Sequence, residues 1–307
     1  MKIKELITNN SKCRRYTGLS IKKFDHLVNN ISLLIKKANV TRIWKKNRPG
    51  AGRPATLTLS EKVAMTLMYY RHYDTQATLG DMGGIHQSNV SRIADQIGAF
   101  IEQAADPMLV KNLQEFERNK KHMDTLNRND FLKEFPVYDQ AITDATETPI
   151  PRPGADNATR KLYYSGKTKA FTLKTQVTVS KEQRFLHVTA TYPGSFHDKT
   201  IMDIEMTIKK IPKHTHQMLD SGYQGVIKEY PDHYVTTPTK KPKKRELSDL
   251  AKENNRNIAK RRIKVENALA RPKKFAICVQ VYRGKRCKFN QIFRNVVALC
   301  NLMLDAS

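Results

Sequence analysis

The run AFTLKTQVTVSKEQRFLHVTATY (Ala170–Tyr192) decides the fold, because it places two β-rich segments in direct succession. β-Branched and aromatic residues dominate both halves, and we therefore predict strands at Ala170–Ser180 and Arg184–Tyr192. Similar short runs on either side predict three more strands, at Val137–Asp144, Gln217–Asp220 and Tyr234–Thr237.

Helical patterns surround and follow these strands. We predict a helical stretch after Asp198, a long helix over Leu247–Arg271 and a closing helix over Asn290–Leu304. Three successive strands, a helix, two more strands and a long helix are typical of an α/β domain with a mixed sheet.

The region before the strands predicts an all-α part. Apolar residues recur at helical spacing over Leu19–Ala38 and predict an amphipathic helix. The stretch KKNRPGAGRP (Lys45–Pro54) follows, and it is either a linker, a DNA-tracking arm or a plain solvated loop.

Three short helical segments then follow one another closely, as in a helix-turn-helix. Ser60 is the predicted N-cap of the first segment, and Gly83 and Gly84 allow a tight corner before the third. The third begins with polar residues suited to base edges and phosphates, while Val90, Ile93 and Ile97 face inward. The alternative is a helical bundle with one polar face. The predicted segments are Ser60–His72, Thr75–Met82 and Gln87–Ile101, and the candidate DNA contacts are Gln87, Ser88, Asn89, Ser91 and Arg92.

Charge is the unusual feature of the composition. Lys and Arg number 55 against 29 Asp and Glu, which gives a formal net charge of +26. A polyanion normally neutralises such self-repulsion, so nucleic acid is the first partner to expect and an anionic membrane the second. The longest apolar stretch, Val296–Leu304, is far too short to span a bilayer, and we expect no membrane association.

The four cysteines, Cys13, Cys278, Cys287 and Cys300, form no CxxC pair and lack His at zinc-ligand spacing. We interpret them as structural, mostly buried thiols in a reducing cytosol.

Three acidic residues could carry chemistry. Asp144 ends the first predicted strand, Asp220 ends the fourth, and Glu266 lies in the long helix. If the first and fourth strands are neighbours, the two aspartates meet at one sheet edge, and a crossing helix can deliver the glutamate. Carboxylates are the ligands that Mg²⁺ prefers, and paired ions about 4 Å apart catalyse in-line displacement at phosphorus.

Each acid also has a simpler structural interpretation. Asp144 could form a turn, Asp220 could cap the turn before Gly222, and Glu266 could pair with Arg262. Asp198 follows a strand too, and we predict a helix N-cap role for it.

At these residues the sequence resembles bacterial DDE transposases of the insertion sequence 5 type, relatives of the eukaryotic Harbinger transposases. The resemblance runs from about Thr17 to the C-terminus. It rests on LTLSEKVAMTLMYYRHYDTQATLGDMGGIHQSNVSRI (Leu57–Ile93) for the helix-turn-helix, and on DATETPIPRP (Asp144–Pro153), KLYYSGKTKAFTLKTQV (Lys161–Val177), PGSFHD (Pro193–Asp198) and DSGYQG (Asp220–Gly225) for the core.

The third acid of the family lies in a helix motif of Tyr, two residues, Arg, three residues, Glu, six residues and Lys. Arg262, Glu266 and Lys273 match that spacing, whereas Ala259 replaces the Tyr and Pro272 interrupts the end. Ala145 likewise replaces the glycine that usually follows the first aspartate.

The resemblance implies an RNase H-like catalytic core behind an all-α helix-turn-helix domain. It divides the chain into 1–56 (N-terminal helix and basic linker), 57–105 (helix-turn-helix DNA-binding domain), 106–136 (helical linker) and 137–307 (RNase H-like DDE catalytic domain). It further implies that Asp144, Asp220 and Glu266 hold two divalent metal ions, Mg²⁺ or alternatively Mn²⁺. The implied phosphate contacts in and around the core are Arg152, Arg160, Lys161, Lys167, Lys169, Lys174, Arg262 and Lys273.

The implied activity is transposition in the bacterial cytosol, at the nucleoid. Such an enzyme binds the terminal inverted repeats of its element as a homo-oligomer on double-stranded DNA, cleaves there and joins the freed 3′ hydroxyl to target DNA. Two alternatives stay open: a catalytically retired transposase that acts as a sequence-specific DNA-binding protein, and an RNase H-like nuclease without strand transfer.

Overall fold

The computed structural model describes residues 2–40, 55–106, 119–154, 156–241 and 246–305. The basic stretch Lys45–Pro54 lies outside these residues, as does part of the predicted helical linker 106–136. The described chain divides into two compact units, one of Met1–Pro107, Pro272–Gln280 and Arg286–Ser307, the other of Met108–Arg271 and Val281–Lys285.

A mixed sheet organises the second unit, as the strand pattern predicts. Its central strand β1 pairs antiparallel with β3 on one side and parallel with β5 on the other. β3 also pairs antiparallel with β4 and with the short β2, and β5 pairs parallel with β6. The strands are β1 (Gln140–Pro149), β2 (Tyr164–Ser165), β3 (Ala170–Ser180), β4 (Phe185–Pro193), β5 (His216–Met218) and β6 (Val235–Thr236).

The pairing of β1 with β5 confirms that the first and fourth predicted strands are neighbours. Several predicted strand bounds were wrong: β5 ends at Met218, before Asp220, and β1 begins at Gln140 and does not end at Asp144 but continues to Pro149. The reason is its antiparallel partner, since β3 pairs with β1 along the whole run from Ala141 to Pro149. The parallel register pairs Ile142 with Met218 and stops there. Asp144 therefore follows the last residue that β1 pairs with β5.

Helices complete the second unit. Apolar side chains of residues 119–142 form one core cluster with Leu186 and Ile211, and a second cluster lies around the fully buried Tyr223. The long helix α12 packs on β1 through its C-terminal half, where Val265, Ala268 and Leu269 are buried. The helices are α7 (119–125), α8 (Arg128–Glu134), α9 (Asn157–Tyr163), α10 (Asp198–Glu205), α11 (Val226–Glu229) and α12 (Asp249–Ala270).

The first unit is helical. Helix α6 is its centre and packs against α3, α4, α5 and α13. On α13, the buried Asn295 bonds α6 twice: its amide donates to the Gly98 carbonyl (2.8 Å) and its Oδ1 accepts from the Glu102 N–H (3.1 Å). The helices are α1 (Ile3–Leu6), α2 (Asn10–Thr17), α3 (Ile21–Val40), α4 (Leu59–His72), α5 (Gln76–Gly83), α6 (Gln87–Ala105) and α13 (Arg286–Leu304).

Helices α4, α5 and α6 are the three predicted helix-turn-helix segments. Gly84 ends α5 with a φ of +63°, a left-handed conformation that glycine adopts without strain. The predicted N-cap of α4 was wrong: Thr58 caps this helix instead of Ser60, in a capping box with Glu61. Val90, Ile93 and Ile97 are buried, as predicted.

The predicted domain boundaries stay predictions, although the contacts group the chain differently near its end. Residues from Arg286 onward were expected within the catalytic domain, yet α13 packs on α6 in the first unit. The contacts of α13 give the reason, since Asn295 bonds Gly98 and Glu102 of α6 and Arg294 forms an ion pair with Glu102.

Cys13, Cys278 and Cys300 are buried free thiols, and Cys287 is an exposed one. No helix within the described ranges is both long and apolar enough to cross a bilayer.

Candidate active site

Two of the three predicted acids meet at one cation. The Arg262 guanidinium, on α12, donates a hydrogen bond to Oδ1 of Asp220 at 2.8 Å. Its other terminal nitrogen lies 3.8 Å from Oδ2 of Asp144. The side chains of Arg262 and Asp144 are 18% and 20% exposed and that of Asp220 is 41% exposed, so the site opens toward solvent on the Asp220 side.

Strand register explains this meeting. Asp144 and Asp220 each lie two residues beyond the Ile142–Met218 pair, which places both past the last paired residues of parallel strands. The Ala145 N–H donates to Asp144 Oδ1 (2.8 Å), and the Ser221 N–H donates to Asp220 Oδ1 (2.6 Å). The suggestion that Asp220 caps a turn is confirmed, because it is the N-cap of the short 3₁₀ helix Ser221–Tyr223. The backbone thus orients both carboxylates.

Burial and charge act against each other at Asp144. Burial is the largest influence and raises the pKa of Asp144 above its ordinary value. The Ala145 N–H bond and the positive charges of Arg262 and Lys167 lower this pKa, while the negative charge of Asp198 raises it further. A carboxylate held this way favours a nearby cation.

Glu266 does not join the aspartates. It lies exposed on α12, one turn beyond Arg262. The suggested ion pair between Glu266 and Arg262 does not form, because the guanidinium of Arg262 contacts the two aspartates. Within the described ranges, no three His, Cys, Asp or Glu side chains are grouped so that they could hold a metal ion.

A buried ionic cluster lies beside Asp144. Lys174 is 7% exposed, and its ammonium lies 3.3 Å from Glu147 Oε1 and 3.1 Å from Asp198 Oδ1. It also donates to the Phe196 carbonyl at 2.8 Å. Cross-strand register brings Lys174 opposite Glu147 on β1. The prediction that Lys174 contacts DNA phosphates must therefore be corrected, because its charge is buried against two carboxylates of its own unit.

The prediction that Asp198 is a helix N-cap was also wrong. His197 occupies that position, and Asp198 is the first residue of α10. Its carboxylate instead lies 3.1 Å from the buried ammonium of Lys174, a charge-assisted contact.

Tyr223 is a buried residue that the sequence reasoning did not select. Its hydroxyl accepts a hydrogen bond from Gln176 Nε2 at 2.7 Å. Burial is the main reason that the pKa of Tyr223 is raised well above its ordinary value, and the negative charges of Asp198, Asp144 and Asp220 raise it further. The negative charges of all three aspartates therefore help to keep the Tyr223 hydroxyl protonated and neutral. The only sequence signal was its place in DSGYQG.

The remaining predicted DNA contacts lie mostly at the surface. In the second unit, Arg152, Lys161, Lys167 and Lys169 are exposed. Lys273 is also exposed, in a 3₁₀ turn of the first unit that follows the end of α12. On α6, Gln87, Ser88, Asn89 and Arg92 are exposed and Ser91 is half-buried. Arg92 donates to Asn89 Oδ1 at 3.0 Å, which links two of the candidate base contacts.

Comparison with known families decides the identity of this arrangement. The sequence model of the DDE superfamily endonuclease matches residues 143–301, more than half of the chain, and includes all three predicted acids. The chain belongs to the DDE superfamily endonucleases. A second model, the helix-turn-helix of DDE superfamily endonuclease, matches residues 55–107 of this family member.

Two further comparisons concern one relative in sequence and one solved structure. This DDE superfamily member is 27% identical over 278 residues to a probable transposase for insertion sequence element IS702 from Microchaete diplosiphon, covering 91% of this chain and 89% of the relative. A crystal structure of a pre-cleavage Mos1 transpososome aligns with 80% of this chain and 85% of its own, at 8% identity and a TM-score of 0.20.

The donor set fits the divalent metal that DDE superfamily endonucleases generally use. Asp144 and Asp220 supply hard oxygen ligands, and both already share one cationic partner, the guanidinium of Arg262. Among the described residues, Asp144 and Asp220 together could offer carboxylate oxygens to a metal ion in the observed conformation.

Proposed function

We propose that this protein is a DNA transposase that binds the ends of its element and catalyses metal-dependent strand cleavage and strand transfer. The single observation that carries the proposal is the convergence of Asp144 and Asp220 on Arg262, within the region that matches the DDE superfamily endonuclease. Two carboxylates that share a cation in a strongly basic chain form a site for a metal ion and a DNA phosphate.

We assign each residue of the site a role according to its position. Asp144 and Asp220 would hold divalent metal, with Mg²⁺ as the expected ion, and Glu266 would complete the ligand set after a rearrangement of its side chain. A metal bound there would supply activation of the attacking water or 3′ hydroxyl and charge stabilisation of the leaving oxygen. Arg262 balances the negative charge of the two aspartates and, with a metal bound there, would contact a DNA phosphate. The ion pairs of Lys174 with Glu147 and Asp198 connect β3 to β1 and to α10 and so stabilise the strand that carries Asp144.

DNA binding is proposed for two surfaces. In the first unit, the exposed polar start of α6 recognises the terminal inverted repeats. Its short polar side chains and Arg92 can form hydrogen bonds to base edges in a major groove. In the second unit, exposed Arg152, Lys161, Lys167 and Lys169 contact phosphates. We expect the protein to act in the cytosol as a homo-oligomer on DNA, since two ends must be brought together.

Cleavage and joining on defined DNA test this proposal. The substrate is a duplex that carries the inverted repeat found beside the gene, together with a supercoiled target plasmid and Mg²⁺. We expect nicked ends and joined products with the wild-type protein. Asp144→Asn, Asp220→Asn and Glu266→Gln should each abolish both products and still shift the end duplex in a gel. Full Mg²⁺-dependent cleavage by any one variant would remove that residue from the mechanism.

The exposed position of Glu266 favours one competing function, a retired transposase that only binds DNA. In that case the end duplex is protected in footprints and no metal-dependent nick appears on it. A nuclease without strand transfer would instead give nicks without joined products on the plasmid.

A further inference from the structure

A polar pocket of about 400 Å³ lies within the second unit, and its lining includes Arg261, the chain neighbour of Arg262. It lies between the ends of β5 and β6 and the N-terminal half of α12. Met218 and Thr236, a parallel-paired couple, line the sheet side. Asn254, Asn257 and Arg261 line the helix side.

Hydrogen bonds fix the walls of this pocket. On α12, the Asn255 side chain accepts from the Thr239 N–H at 2.9 Å and donates to the Thr239 carbonyl at 3.0 Å. This pair attaches the segment after β6 to the helix. On the sheet side, His216 Nε2 lies 2.8 Å from Thr236 Oγ1, and the His216 ring stacks on Tyr234 with centroids 4.1 Å apart. The pocket is therefore built before any ligand arrives.

The lining predicts the chemical class of the ligand. Asn254 and Asn257 are exposed, and neither carboxamide has a hydrogen-bond partner among the residues that the structure describes. A carboxamide offers a donor and an acceptor side by side, which matches the edge of a nucleobase. The lining contains no carboxylate, and the Arg261 guanidinium suits a phosphate. A base joined to a phosphate satisfies both features.

Position connects the pocket to the aspartates. Arg261 is the neighbour of Arg262, and Met218 precedes Asp220 by two residues. Ile258 and Asn257 lie four and five residues before Arg262, a rise of roughly 6 and 7.5 Å along the helix. Stacked nucleotides are spaced by about 3.4 Å along a strand. A DNA strand with its phosphate at the aspartates thus has its next two nucleotides within reach of the pocket.

We propose that this pocket binds one unstacked nucleobase of the DNA substrate, within two nucleotides of the scissile phosphate. The proposal rests on the proposed function and adds a source of sequence preference to it. A base must leave the stack to enter such a pocket, and two carboxamides then discriminate among bases through their edges. The preference belongs to the second unit and is separate from the recognition proposed for α6.

Sequencing of cut sites tests the proposal. The substrate is a plasmid library with a randomised segment beside the inverted repeat, cut in Mg²⁺ by the wild-type protein, by the double variant Asn254→Ala/Asn257→Ala, and by the matched control Asn267→Ala. Asn267 is an exposed asparagine on the same helix and outside the pocket lining. The melting temperatures of all three proteins are compared, and equal values will show that the surface substitutions leave the fold intact.

We expect the wild-type protein and Asn267→Ala to share a base preference at one position within two nucleotides of the cut. The double variant should weaken that preference at least about fivefold and retain the preference within the inverted repeat. An unchanged preference in the double variant, or equal loss in Asn267→Ala, overturns the pocket proposal alone. If the wild-type protein cuts nothing, the proposed function fails, and the pocket proposal fails with it.

Discussion

Arg262 donates a 2.8 Å hydrogen bond to Asp220, and this contact links the long helix to the end of β5. The same guanidinium reaches toward Asp144, so one positive charge balances two carboxylates. A divalent ion that binds these carboxylates must compete with Arg262.

Arg262→Gln should tighten divalent metal binding. Removing the guanidinium leaves two carboxylates without their cation, and an ion pair of this partial exposure contributes about 1 kcal/mol, or about fivefold in Kd. Titration of free Mn²⁺ by electron paramagnetic resonance measures this Kd directly. The control is Arg256→Gln, which removes a positive charge from an exposed position on the same helix. Equal Kd values for wild-type and Arg262→Gln protein would contradict the competition.

Lys174→Met should destabilise the protein strongly. The substitution leaves the nearly buried Glu147 and the partly buried Asp198 without their cation, and loss of one partner of such a pair costs about 3 kcal/mol. Urea unfolding measures the free energy of unfolding. Lys228→Met, on the exposed surface of α11, serves as the control and should change little.

Adding Glu147→Gln to Lys174→Met should restore part of the lost stability, because it removes one of the two unpaired negative charges. A double variant as unstable as the single one would show that Lys174 acts through packing of its chain and not through its charge.

Glu147 should contribute to acid unfolding. Burial alone would raise its pKa, but hydrogen bonds from Thr172 and Ser165 and the charge of Lys174 outweigh burial, so the pKa of Glu147 is lowered. A carboxyl with a lowered pKa in the folded state adds stability above its unfolded pKa, and this stability disappears as the pH falls through the folded value.

Measured between pH 7 and pH 3, the free energy of unfolding should therefore fall less steeply in Glu147→Gln than in the wild-type protein. Parallel curves would contradict a lowered pKa. Glu246→Gln, at an exposed position, is the control and should follow the wild-type curve.

Arg92→Ala should weaken binding to the inverted repeat and relax its sequence preference. Arg92 is exposed near the start of α6, and loss of one good contact to a base edge costs about 1–3 kcal/mol. Gel shifts at fixed salt, on the repeat and on unrelated DNA, measure both effects. Gln96→Ala, one turn further along α6, is the control, and equal losses on both DNAs would reassign Arg92 to phosphate contact.

The sequence predicted element types better than side-chain partners. Helices α4 to α6 were identifiable from local spacing and glycines, and β1, β3 and β4 from their β-rich runs. The end of β1 was missed, because Asp144 to Pro149 reads as a polar segment and becomes a strand only through its pairing with β3. Such pairing is a tertiary effect that local pattern does not contain.

The candidate site was predictable only in part. Motif spacing located Asp144 and Asp220, and register brings them together. The buried position of the Lys174 side chain was not predictable. A lysine in the basic segment Lys161–Val177 is expected to be exposed to solvent until its cross-strand partner Glu147 is known. The buried Tyr223 and the pocket on α12 depend likewise on contacts between segments distant in sequence.

Metal-dependent rescue of cysteine variants tests the central claim most directly. Asp144→Cys, Asp220→Cys and Glu266→Cys replace a hard oxygen ligand by a thiolate, which Mg²⁺ binds poorly and Mn²⁺ accepts better. Cleavage of the end duplex should be lost in Mg²⁺ for each variant and should return in part in Mn²⁺, while alanine variants stay inactive in both ions. Alanine variants that cleave as well as the wild-type protein in Mg²⁺ would contradict a metal-binding role for these acids.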